Sequence, residues 1–108
     1  MKVELLWWDG CPSHTEALEQ LRQVLDGEGL DAEAVELVEV VSDAQSERER
    51  FFGSPTIRID GEDVVPPAEG DPVGLSCRVY RLRDGRPSPV PDPDDVRDAV
   101  RRRAYAAG

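Results

Sequence analysis

The run Trp8-Asp9-Gly10-Cys11-Pro12-Ser13-His14 decides the reading of this chain, because the hydrophobic pattern changes period across it. Before it, Val3 to Trp8 is a short apolar stretch broken by Glu4 and closed by Asp9 and Gly10, which predicts a buried strand entering a tight turn. After it, from Thr15, Ala17, Leu18, Leu21, Val24 and Leu25 recur at three- and four-residue spacing. Glu16, Glu19, Gln20, Arg22 and Gln23 lie between them, which predicts a helix with one apolar face. Pro12 falls near the first turn, where its missing N–H has no partner to lose, and Gly27 and Gly29 supply the stop. Cys11 is thereby expected between the end of a strand and the start of a helix.

That position has chemical consequences. A thiolate at a helix N-terminus faces unpaired backbone N–H groups and the positive end of the dipole, which favours the charged form. His14, one turn on, is a candidate to add positive charge or to accept the thiol proton. Trp7 and Trp8 should point to opposite sheet faces. Their structural use is packing, and their functional use is a flat wall beside Cys11 for a substrate or for a second copy in a homodimer.

Downstream, Ala32 to Val41 alternates and predicts a second strand, and Ser42 and Asp43 are good N-caps for a helix running to Phe52 and ended by Gly53. Ile57-Arg58-Ile59-Asp60-Gly61 then joins β-branched alternation to an Asp-Gly turn, predicting a hairpin with Glu62 to Val65. Pro66 to Gly74 reads as a loop. Cys77 to Leu82 reads as an edge strand, with Val79 and either Cys77 or Tyr80 facing inward. A second loop, Pro87 to Pro93, precedes a closing helix over Asp94 to Ala107, whose charge runs from acidic to basic. The order β-α-β-α-β-β-(β)-α predicts an α/β sandwich, a mixed sheet flanked by helices, as a single domain over residues 1–108.

Composition narrows the function classes. With 13 basic and 23 acidic side chains the formal charge is -10, which repels phosphate backbones and anionic lipid, so neither nucleic acid nor membrane is expected as a partner. No apolar run approaches the roughly 20 residues of a membrane helix, and the N-terminus lacks the pattern of a signal peptide, so a cytoplasmic location is expected. The late arginines, Arg78 to Arg86 and Arg97 to Arg103, are expected to be solvated faces. In a reducing compartment Cys11 and Cys77 suit thiol chemistry, a metal contact or packing rather than a structural disulfide framework.

The Gly10-Cys11-Pro12 turn after the first strand, with Ser54-Pro55-Thr56 just before the third, resembles the thioredoxin-like superfamily, and in particular its small bacterial members with a Gly-Cys-Pro turn. The resemblance covers roughly residues 2–65 and 92–107. It implies a thioredoxin-like sandwich in which Pro55 is a cis-proline against the reactive cysteine, and in which Pro12, Ser54, Pro55, Thr56 and Trp8 form a substrate-binding surface that accepts a substrate backbone as an extra strand. The chain departs from the usual C-x-x-C pair, since His14 stands where the second cysteine would be.

Three functions then compete. One is thiol-disulfide oxidoreduction on a protein or small-molecule thiol or disulfide, with Cys11 as nucleophile, Cys77 as distal resolving thiol and no cofactor. A monothiol variant would use glutathione or a similar thiol, its carboxylate held by Arg58 or the Arg78 cluster. Another is binding of a soft metal, copper(I), zinc or mercury(II), by Cys11, Cys77 and His14 or Asp9, in keeping with a looser resemblance to organomercurial-processing proteins. The last is a scaffold that only binds partners.

Overall fold

β1 (Val3–Trp7) is the strand on which the rest is laid in the computed structural model, which describes residues 1–106. Val3, Leu5 and Trp7 point to one face and Leu6 to the other, where Trp8 also packs, so this one strand anchors two apolar clusters. It therefore sits inside the sheet, paired in parallel with β2 (Val35–Glu39) and antiparallel with β3 (Thr56–Ile59). The Asp60-Gly61 turn, with φ of 52° and 84°, returns the chain into β4 (Glu62–Asp63), giving a four-stranded mixed sheet in the order β2-β1-β3-β4. Both turn residues lie in the left-handed region, which is what an Asp-Gly hairpin turn requires.

The first face of the sheet is covered by α1 (His14–Gly27) and α3 (Pro93–Ala106). Ala17, Leu21, Val24 and Leu25 of α1 meet Val96, Ala99 and Val100 of α3 above Val3, Leu5, Ile57 and Ile59, all buried. Three-and-four spacing in both helices produces this cluster. Asp94 and Asp95 lie in the first turn of α3 and Arg103 in its last, matching the dipole. On the opposite face Leu6, Val40 and Phe51 form a smaller core with Trp8, Val38 and Leu75 packed on it, so Trp7 and Trp8 divide between the two faces as their alternation requires.

Several boundaries differ from those the sequence suggests. β2 is shorter than Ala32 to Val41, and Leu37 and Val41 are exposed, because β2 is an edge strand with one neighbour. α2 (Asp43–Glu49) ends before Phe51, not at Gly53, because Arg50 turns left-handed at φ 53°. Its start is as the residues indicate: Ser42 Oγ accepts from Gln45 N–H at 3.1 Å, while Gln45 Oε1 accepts from Val41 N–H at 3.0 Å. The Cys77 to Leu82 segment is a strand only at β5 (Tyr80–Arg81), which pairs with β6 (Pro87–Ser88) inside the expected second loop. Its inward residue is Tyr80, one of the two alternatives, whereas Val79 is 73% exposed, contrary to the expected inward orientation. The expected end of the last helix at Ala107 lies outside the described residues. No described helix is long and apolar enough to cross a membrane.

Candidate functional site

Cys11 closes the turn after β1, its N–H donating to Trp8 O at 3.1 Å. Gly10 is needed there: the Trp8 indole lies so close that a Cβ would sit 2.3 Å from its ring. Ser13 is the N-cap of α1, but its hydroxyl makes no cap bond and is placed instead 3.2 Å from Cys11 Sγ. The sulfur is also 3.6 Å from Ser54 O, to which the thiol form donates.

Cys77 reaches the same place by strand pairing. Ser54 N–H donates to Ser76 O at 2.8 Å and Arg78 N–H donates to Ser54 O at 2.9 Å, a parallel bridge that sets Cys77 opposite Ser54. Both cysteines are free, Cys11 buried and Cys77 exposed, and both line one groove, where their thiols interact. That interaction shifts the two thiols in opposite directions. Burial pushes the Cys11 thiol up, but the interaction with Cys77 and the hydrogen bonds from the Ser13 hydroxyl and N–H outweigh it and hold Cys11 below its ordinary value. The Cys77 thiol is raised, first by that same interaction with Cys11 and then by burial. The arrangement favours the charged form at Cys11 and the protonated form at Cys77.

The Ser54-Pro55-Thr56 turn is the hub that joins both cysteines. Its Ser54–Pro55 bond is cis. Ser54 Oγ accepts from Trp8 N–H at 3.0 Å, Pro55 O accepts from the Tyr80 hydroxyl at 2.5 Å, and Thr56 Oγ1 donates to Gly53 O at 2.7 Å. Gly53, at φ 120°, passes so near Arg78 that a Cβ would meet its backbone at 3.1 Å and its Cβ at 3.0 Å. Arg78 is pinned in turn: its guanidinium donates to Asp63 Oδ2 and Val65 O, each at 2.7 Å, and lies 4.6 Å above the Tyr80 ring.

Of the residues named from the sequence, Cys11, Cys77, Pro12, Ser54, Pro55, Thr56 and Trp8 are brought together around this turn. His14 is adjacent, but its Nδ1 lies 3.1 Å from Cys11 O and its ring stacks on Trp7, with centroids 4.3 Å apart. It holds the Cys11 main chain rather than the sulfur. The expected substrate strand on Ser54 meets an occupied edge, because residues 76–78 already take both main-chain groups. Nor do Arg58 and Arg78 offer themselves to a substrate carboxylate: Arg58 is engaged by Glu49 and by Arg50 O, and Arg78 by Asp63. Ser13 and Tyr80 are site residues the pattern did not reveal, and the role of Arg78 as a clamp on Asp63 and Val65 O was likewise not indicated. For Ser13 the available signal was its place as N-cap two residues after the cysteine.

A groove of about 870 Å³ opens beside the sulfurs, walled by Pro12, Cys77, Val79 and Pro89 and by Glu16 and Glu19 of α1. No family description matches the sequence, and no curated protein and no solved structure matches it either.

Proposed function

We propose that this is a thioredoxin-like protein that carries out thiol-disulfide exchange, with Cys11 as the attacking thiolate and Cys77 as the resolving thiol. The observation that carries this reading is that Cys11, 3.6 Å from Ser54 O, and Cys77, bridged to Ser54, line one open groove; the lowering of the Cys11 thiol and the raising of the Cys77 thiol agree with it. The strand order β2-β1-β3-β4, with the turn bearing Cys11 leading into α1, supports the thioredoxin-like reading.

The step balances as follows. The Cys11 thiolate attacks one sulfur of a substrate disulfide, forming a mixed disulfide and releasing one substrate thiolate, which takes up a proton. Cys77 then loses its proton and attacks Cys11 Sγ, forming the Cys11 to Cys77 disulfide and releasing the second substrate thiol. The substrate is reduced by two electrons and the protein oxidised by two; a dithiol reductant restores the pair. His14 and Ser13 hold the turn and the sulfur in place.

The test is a single turnover of reduced protein with bis(2-hydroxyethyl) disulfide, followed by alkylation and peptide mapping. Wild type should end with Cys11 joined to Cys77, and Cys77→Ser should stop at a mixed disulfide on Cys11. Two separately alkylated thiols in the wild type would refute the mechanism. The facing of both thiols into one groove also favours a second reading, capture of a soft two-coordinate ion such as copper(I) or mercury(II). Among the described residues no group of three or more His, Cys, Asp or Glu is placed to hold a metal, so a four-ligand zinc site is not assembled there.

A further inference from the structure

The groove beside Cys11 differs in two respects from a site for an extended, anionic substrate. Ser54, the main-chain rung nearest the sulfur, is already bonded on both sides by residues 76–78, so a peptide has no open rung there. What is open is a concavity of about 870 Å³, in the range of small-molecule sites. Its fixed charge is negative. Glu16 and Glu19, three residues apart on α1 and exposed, line it and have no ion pair among the described residues. The cation on the same wall, Arg78, is spent: its side chain is 9% exposed and its donors are held by Asp63 and Val65 O. Val79, 73% exposed, and Pro89 add apolar surface for methylene groups.

We propose that this groove takes small disulfides carrying amines in preference to those carrying carboxylates, a specificity that rests on the exchange reading above. An ammonium group two or three bonds from the attacked sulfur is drawn toward Glu16 and Glu19, and a carboxylate in the same place is repelled. The chemistry is the balanced exchange already given, the products being two aminothiols and the oxidised Cys11 to Cys77 pair.

The experiment is single-turnover oxidation of reduced protein by cystamine, bis(2-hydroxyethyl) disulfide and 3,3′-dithiodipropionate. Each rate is divided by that of 2-mercaptoethanol thiolate with the same disulfide, which removes differences in leaving group. The expected order is amine, hydroxyl, carboxylate, spanning about tenfold at low ionic strength and shrinking in about 0.5 M salt. Glu16→Gln with Glu19→Gln should cut that span to about threefold, whereas Glu36→Gln with Glu39→Gln, an equal charge change on β2, should keep it. Equal normalised rates for the three disulfides, or a span indifferent to the Glu16 and Glu19 change, would overturn the specificity and leave exchange standing. Failure of Cys11 to react with the uncharged disulfide would overturn the exchange reading itself.

Discussion

At the residue scale the site turns on which group stabilises the Cys11 thiolate. Burial works against the charge and is the largest single influence, so the thiolate depends on Cys77 and Ser13 together. Alkylation of Cys11 follows its thiolate fraction, so its rate-against-pH midpoint should lie below that of an ordinary thiol. Because removing a donor leaves the burial, Cys77→Ala should move the midpoint to higher pH, and Ser13→Ala should move it the same way; iodoacetamide kinetics with peptide mapping reads both. A second residue-scale consequence concerns Gly10. Gly10→Ala places a methyl on the Trp8 ring, and the overpacking should destabilise by about 1–3 kcal/mol. Urea unfolding gives the loss, and a change in tryptophan fluorescence locates it.

At the element scale, α2 owes its start to the reciprocal bonds between Ser42 and Gln45 and the backbone. Ser42→Ala should cost about 1 kcal/mol of stability, with the alkylation midpoint of Cys11 unmoved, since α2 does not touch the sulfur. The elements that could be read from the residues are those whose pattern is local: β1, α1 and the Asp60-Gly61 hairpin each combine a clear period with a turn or cap. The second half was harder for a physical reason. Residues 76–81 are held by Ser54, Asp63, Val65 O and Pro55 O, all distant in sequence, and no local periodicity records such partners. The same gap explains Arg78: as a letter it is an edge charge, but in the fold it is a buried clamp. It also explains Val79 and Tyr80, whose orientation is fixed by the Tyr80 bond to Pro55 O rather than by alternation around Val79.

At the scale of the whole molecule, most late arginines are absorbed by acidic partners. Arg83 meets Asp95 and Asp98, Arg97 meets Asp94, Arg101 meets Glu28, and Arg103 meets Glu62, so these cations are dispersed in pairs despite their clustering in sequence. Arg78 is different because its pair with Asp63 is largely shielded from solvent; Arg78→Ala strands the carboxylate. That change should cost about 3–5 kcal/mol, speed amide exchange at residue 54, and slow closure of the Cys11 to Cys77 disulfide. Urea unfolding, hydrogen exchange and the single-turnover assay read the three effects. The bridge between Ser54 and Cys77 has a kinetic meaning as well. If Cys77 resolves a Cys11 adduct as proposed, its tether to Ser54 makes resolution unimolecular, equivalent to an effective concentration on the order of mM or higher. On the proposed exchange reading, a free thiol competing for the mixed disulfide would have to reach that concentration, which implies a short-lived intermediate and full reduction of each captured substrate.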